Sequence, residues 1–289
     1  MNRRPLARKG SFSTFKDQNE LLEQFRDFQM VDLRRAKRTA YEKVWFIRRL
    51  SKKLEKHPFE ITKEDLRSYL RSLEKYSTAT YKNALMAMKV FFRDFLVEPE
   101  LVASFRFPKQ VFKPKHILSR QQVKHFYTHL ETPKEKALFL LYATSGLRRE
   151  EILTLTPEDV DFEKRMITPN NHFGETKKSW VSFYNEEAAA ALKEYLAQKK
   201  PSRSERLFPM KTMEVKELWD KAQAETGLNT TPQKLRQWFC SEMLRLGVPE
   251  TYIDAFCGRV PKSVLARHYT DFSPEKLLEI YSEASLEVL

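Results

Sequence analysis

The stretch TSGLRREEILTL, residues 144–155, decides how this chain is read. Gly146 permits the tight turn that separates two helical segments, so Arg148 falls in the first turn of a new helix, where backbone N–H groups face outward. A guanidinium placed there can grip a phosphate through two parallel hydrogen bonds. Glu151, one turn later, either orients that arginine or pairs with solvent. On its own, an arginine at a helix start is an ordinary surface charge, so its meaning depends on what surrounds it.

Upstream, Ser119 with Gln122 before Val123 has the form of a capping box, and helical spacing runs from there into the quoted stretch. Downstream, VDFEKRMIT and WVSF suit short strands, with the turn-rich PNNHFGETKK between them, which predicts a small β-hairpin over 160–183. From Asn185 helix returns, punctuated by Pro201, Gly227, Gly247 and Gly258. Towards the N-terminus, FRFPKQVFKPKH carries Pro108 and Pro114 among lysines and reads as a linker. Before it, Leu21, Leu22, Phe25 and Phe28, then Val44, Ile47, Leu50 and Leu54, recur at helical spacing. Thr62 with Asp65 opens a helix carrying Leu66, Tyr69, Leu70 and Leu73, and Leu85, Met88, Phe91, Phe92 and Phe95 mark another. The fold class expected is mainly α with a small antiparallel β-sheet: an all-helical N-terminal domain followed by an α+β domain. The boundaries expected are a basic flexible tail over 1–18, a helical domain over 19–107, a linker over 108–118, a second domain over 119–272 and a C-terminal helix over 273–289.

With 289 residues, two domains of ordinary size are expected. A net charge of +13, from 52 Lys and Arg against 39 acidic residues, favours a polyanionic partner, nucleic acid before an anionic membrane. No apolar run approaches the roughly 20 residues of a membrane span, and MNRRPLARKG lacks a signal-peptide core, so a soluble protein without membrane association is expected. Cys240 and Cys257 lack metal-ligand spacing with the six histidines; buried thiols in a reducing compartment are expected, with no metal. A dense basic run, Arg34, Arg35, Lys37, Arg38, Arg48, Arg49, Lys52 and Lys53, suits phosphate contacts, although a solvated helix face is the plainer reading of any one of them.

Three further positions stand out in the C-terminal half. In TPQKLRQWF, Pro232 favours a helix start and places Gln233 and Arg236 on one side, with Leu235 and Trp238 towards the core. Arg259 in CGRVPKS follows a glycine that ends a helix. Tyr269 in RHYTDF, next to His268, has a polar setting unlike the apolar stripe of Tyr281 in LLEIY.

In this order the pieces resemble the tyrosine recombinases, whose catalytic domains carry an Arg in a T-G-L-R-x-x-E motif, a hairpin Lys, an H-x-x-R motif, a G-H or similar, and a nucleophilic Tyr. TSGLRREEILTL matches the first motif, and CGR with HYTDFSPEKLLEIY is most similar to integrases of archaeal viruses and plasmids. The resemblance implies a site-specific recombinase that cuts and rejoins duplex DNA at a recombination site, integrating or excising a mobile element. It assigns Tyr269 as nucleophile, with Arg148, Arg236 and Arg259 holding the phosphate, Gln233 where the family usually has His or Lys, and Glu151 and His268 in support. The hairpin offers both Lys177 and Lys178 as proton donor, and one alignment puts Glu175 there; Lys177 is preferred. No cofactor or metal is implied. The helical domain would complete a DNA clamp, the C-terminal helix would pack on its own domain or on a neighbouring protomer, and a monomer or dimer would assemble as a tetramer on paired sites, in the cytoplasm at the nucleoid. The rival readings are a type IB topoisomerase-like enzyme and a DNA-binding regulator without chemistry.

Overall fold

The computed structural model describes residues 17–109, 114, 116–169, 181–199, 202–259 and 263–289. The chain divides into two units, Met1–Lys113 and Pro114–Leu289, each with a hydrophobic core of its own.

Side-chain caps start most of the helices. In the first unit, α1 (Gln18–Val31) begins at Asp17, whose carboxylate accepts from the Asn19 N–H at 2.9 Å, and α2 (Lys37–Leu54) follows. Thr62 opens α3 (Lys63–Ser72) with the reciprocal pair expected of it: its hydroxyl accepts from the Asp65 N–H at 3.2 Å, and Asp65 accepts from the Thr62 N–H at 2.8 Å. Ser77 caps α4 (Thr78–Met88), which passes straight into a π-helical turn, Lys89–Phe95. That turn places Phe91, Phe92 and Phe95 on the core side, where Phe25 meets Phe91 edge to face with ring centroids 4.9 Å apart. Leu21, Leu22, Ile47, Leu50, Leu66 and Leu85 fill the space between the helices.

In the second unit, α5 (Arg120–Thr128) starts with the Ser119–Gln122 capping box and leads to α6 (Pro133–Ser145). From Ala137 to Ser145 every residue of α6 is buried, so this helix is enclosed on all sides and runs through the middle of its unit. It ends at Gly146, φ +63°, and α7 (Arg149–Leu153) follows at once. α8 (Glu186–Gln198) and α10 (Pro232–Arg245) pack on α6, while Trp219 of α9 (Thr212–Thr226) reaches the rings of Phe126, Phe139 and Tyr142. α11 (Glu250–Phe256), α12 (Val264–His268) and α13 (Pro274–Glu283) complete the unit.

The predicted hairpin over 160–183 is a three-stranded antiparallel sheet. VDFEKRMIT, expected to be one strand, contains two: β1 (Val160–Asp161) and β2 (Met166–Ile167), paired Val160 to Ile167 and Asp161 to Met166. The chain reverses between them because Asp161 accepts from the N–H groups of Glu163 at 3.1 Å and Lys164 at 2.9 Å, and Arg165 takes a left-handed conformation, φ +51°. β3 (Ser182–Phe183) pairs with β2 on the far side, Met166 to Phe183. The Ser182 hydroxyl donates to the Ser145 carbonyl, which ties the sheet to the end of α6 beside the quoted motif.

Beyond α13 the chain stays on its own unit. Ala284, Leu286 and Val288 are buried, the Glu187 carboxylate accepts from the Val288 and Leu289 N–H groups at 2.8 Å each, and Arg120 reaches Glu287 at 2.8 Å. Among the described residues no helix is long and apolar enough to cross a membrane.

Candidate active site and nucleic-acid face

The turn that ends α6 is where the site is built. Gly146 turns the chain in a left-handed conformation, and Arg148 follows at the N-terminal edge of α7. Glu151 is 3% exposed and holds Arg148 twice: one carboxylate oxygen accepts from the Arg148 backbone N–H at 2.6 Å, the other from its guanidinium at 2.7 Å. The second nitrogen of that guanidinium donates to the Gly258 carbonyl at 3.2 Å. Arg148 is thus aimed by a buried acid, yet its side chain keeps 31% exposure.

Arg236 comes to the same place from α10. It is 5% exposed, and its two terminal nitrogens donate to the carbonyls of Gly146 at 2.5 Å and Cys257 at 2.7 Å. Burial, with the Arg148 charge adding to it, pushes the guanidinium below its ordinary pKa. An arginine remains charged well past neutral pH even so, and two carbonyl dipoles face it. Arg259, just after the turn that supplies the Cys257 and Gly258 carbonyls, is exposed; it pairs with Asp254 at 2.6 Å and approaches the Cys240 sulfur at 3.8 Å. Three arginines therefore gather around two turns, Gly146 on one side and 257–259 on the other.

The remaining described candidates, Gln233, His268 and Tyr269, are open to solvent. Gln233, in the first turn of α10, is exposed whereas Arg236 is buried, so the shared helix side expected of them divides between solvent and interior. Tyr269 closes α12 and is 78% exposed, with His268 exposed beside it. Among the described residues no hydrogen bond joins either to the three arginines. Tyr281, by contrast, is buried, and its hydroxyl donates to the Thr144 carbonyl at 2.8 Å. Burial drives its pKa far up, so it serves as a structural tyrosine beneath the turn. Lys177, Lys178 and Glu175 lie outside the described residues.

Several roles at the site carry no mark in the sequence. Gly146, Cys257 and Gly258 act through backbone carbonyls, and Asp254 pairs with Arg259 five positions on. A four-residue spacing along α10 does link Arg236 to Cys240, and the sulfurs of Cys240 and Cys257 lie 3.4 Å apart as free thiols. Cys257 is buried as expected, whereas Cys240 is only partly so.

In the first unit the basic run is on the surface: Arg34, Arg38, Arg48, Lys52 and Lys53 are exposed, and Arg35 and Arg49 half-buried. Aromatic rings lie among them. Trp45, 50% exposed, and Tyr76 flank the Arg49 guanidinium at 5.2 and 5.6 Å, and Arg26 lies over Tyr41 at 5.7 Å. Arg38, Tyr41, Trp45, Arg48 and Lys52 recur every three or four residues, so one face of α2 carries both charges and rings. The aromatic members are legible in the sequence at this spacing but were not among the residues it singled out.

Residues 116–276 match the phage integrase family, and residues 21–99 match the phage integrase N-terminal SAM-like domain. The chain belongs to the phage integrase family, the tyrosine recombinases, and is an enzyme of the DNA strand-transferase class. It is similar to the tyrosine recombinase XerA of Pyrococcus horikoshii, 27% identical over 240 residues that cover 78% of this chain and 81% of that protein. XerA of Pyrococcus furiosus is 27% identical over 288 residues, 93% of this chain and 95% of its own. In fold it resembles a lambda integrase dimer bound to a COC′ core site, TM-score 0.65 at 13% identity, covering 89% of this chain and 96% of that one. The Tn1549 transposon integrase in complex with transposon right-end DNA gives TM-score 0.65 at 19% identity, covering 92% and 99%.

Proposed function

We propose that this recombinase cuts and rejoins double-stranded DNA at a specific site through a 3′-phosphotyrosyl link on Tyr269, integrating or excising a mobile element. The observation that carries the reading is the convergence of Arg148 and Arg236 on the Gly146 and 257–258 carbonyls, with Arg259 adjacent. Three guanidinium groups on neighbouring turns suit a phosphodiester whose charge grows as it is attacked. Arg148, aimed by Glu151 and still partly exposed, donates to a non-bridging oxygen. Arg236 fixes the floor of the site, and Arg259 closes its side.

Tyr269 attacks phosphorus, the O–P bond forms as the bond to the 5′-oxygen breaks, and the phenol proton passes to the water around this exposed side chain, positive charge favouring the phenolate. The exposure of Tyr269 supports this reading, since a nucleophile that must reach a bound backbone cannot be packed in a core. Lys177 protonates the departing 5′-oxygen, with Lys178 its neighbour on the same segment; Gln233 can hold a phosphate oxygen but carries no proton. His268 supports the tyrosine's end of the helix. Rejoining runs the same steps backwards with a new 5′-hydroxyl, so no nucleotide cofactor is consumed.

This basic and aromatic face of α2 is the second contact with DNA. Its arginines and lysines position the duplex through phosphates, and Trp45 and Tyr41 offer flat apolar surface to sugar and base edges. The segment beyond Pro274, held on its own unit by Glu187 and Arg120, is the piece that passes to a neighbouring protomer when four copies assemble on paired sites. The function is tested with nicked suicide duplexes enriched from a randomised pool by binding to the protein. A covalent adduct that Tyr269→Phe abolishes supports strand transfer; binding without an adduct on any enriched duplex contradicts it.

A further inference from the structure

Two thiols that strand transfer does not use sit against the arginine site. Cys240 lies on α10 one turn after Arg236, and Cys257 lies at the end of α11 two residues before Arg259. Their sulfurs are 3.4 Å apart. The carbonyl of Cys257 is one of the two that hold Arg236, at 2.7 Å, and the next carbonyl holds Arg148 at 3.2 Å. A guanidinium nitrogen of Arg259 is 3.8 Å from the Cys240 sulfur. Cys257 is buried under the Gly146 turn, whereas Cys240 is partly open to solvent.

We propose that Cys240 and Cys257 form a reversible, peroxide-driven disulfide that switches off DNA cleavage by shifting the turn on which Arg148 and Arg236 are hung; the cleavage half of the proposal rests on the function argued above. The surroundings favour Cys240 as the attacking sulfur. Once Cys240 is the anion, the Cys257 thiol 3.4 Å away is its hydrogen-bond donor, and the Arg259 and Arg236 charges favour that anion, which together hold the Cys240 thiol below its ordinary range. Cys257 is pushed the other way by that same shared proton and by burial, so it keeps its proton until it is needed.

The chemistry balances in two steps. The Cys240 thiolate attacks one oxygen of hydrogen peroxide; an S–O bond forms, the O–O bond breaks, and the leaving hydroxide takes a proton to become water. The Cys257 sulfur then attacks the sulfenic sulfur of Cys240; the S–S bond forms, the S–O bond breaks, and hydroxide leaves with the Cys257 proton as a second water. Two thiols lose two electrons to one peroxide, and a dithiol reductant reverses the change. Bond formation draws sulfurs now 3.4 Å apart to about 2.0 Å, and because Cys257 caps a short helix, part of that movement passes to its own carbonyl and to Gly258. Displacing catalytic groups by about 1 Å can cost on the order of a hundredfold in rate.

The test uses the full chain, treated with hydrogen peroxide or dithiothreitol and divided between two readouts. Peptide mapping without DNA reports the crosslink, and the suicide duplex reports adduct yield. Peroxide is expected to join the peptides carrying Cys240 and Cys257 with loss of two hydrogens, to lower the rate of adduct formation at least tenfold, and to release it again on reduction. Cys257→Ala is expected to stop at a sulfenic acid that dimedone labels, and Cys240→Ser to keep its cleavage through the peroxide treatment. No crosslink, a crosslink with unchanged cleavage, or equal peroxide sensitivity in Cys240→Ser would each overturn the proposal. A reduced protein that forms no adduct contradicts strand transfer itself and removes the switch's output, while the mapping still decides whether the disulfide forms.

Discussion

Replacing Gly146 with alanine should damage both stability and catalysis, by an amount that follows from two separate costs. The residue has φ +63°, and an L side chain in a left-handed conformation costs about 1–2 kcal/mol. A Cβ built there would also lie 2.5 Å from Cε1 and 2.6 Å from Cδ1 of Phe239, a fully buried ring that can yield only by repacking, which adds about 1–3 kcal/mol. The expected loss is therefore about 2–5 kcal/mol, or roughly 4–20 °C in the melting of a unit of this size. Any relief that moves the turn also moves the carbonyl that accepts from Arg236, so adduct formation should slow even where the variant is folded. The assay is thermal unfolding followed by the suicide-duplex reaction well below the variant's transition. In a Phe239→Leu background the steric part should shrink, leaving an added cost of about 1–2 kcal/mol for the backbone alone. A Gly146→Ala protein that melts with the wild type, or the same cost in both backgrounds, would refute this account of the turn.

Glu151→Gln should remove the charge that aims Arg148 and lower adduct formation far more than DNA affinity; comparable losses in both would show that Glu151 merely stabilises the fold. On α2, Arg48→Ala and Lys52→Ala should each reduce the slope of log affinity against log salt by about 0.9, whereas Trp45→Ala should weaken binding without changing that slope; filter binding across a salt series separates them. Asp65 is held down to about 2, chiefly by the Lys56 ammonium and then by the Thr62 N–H. Its stabilisation should be complete above the unfolded carboxylate's pKa, near 3.9, and fade as pH falls towards 2, so Asp65→Asn should flatten the acid limb of a melting-temperature profile for the first unit. Tyr281→Phe should lose about 1 kcal/mol with its hydrogen bond to Thr144 and still form the adduct.

Much of the architecture could be read from the sequence because its determinants are local. Thr62, Ser119 and the apolar spacing around Phe91 act within a turn or two, and each marks a helix that is present. The sheet is less legible for the opposite reason. Its first reversal has no glycine and depends on Asp161 capping two N–H groups and on Arg165 accepting a left-handed backbone. The site divides the same way. Arg148, Arg236 and Arg259 stand out by motif, but what they hold does not: the partners of Arg236 are carbonyls 90 and 21 residues away, and carbonyls belong to every residue. The depth at which Arg236 is buried is likewise a tertiary fact, as is the meeting of Cys240 with Cys257.

The most direct test of the central claim is to digest the covalent protein–DNA adduct and identify the linked residue by mass spectrometry. The account predicts one modified peptide, containing RHYTDF, with the nucleotide on Tyr269. A nucleotide on Tyr281, Tyr252 or any other side chain would contradict it.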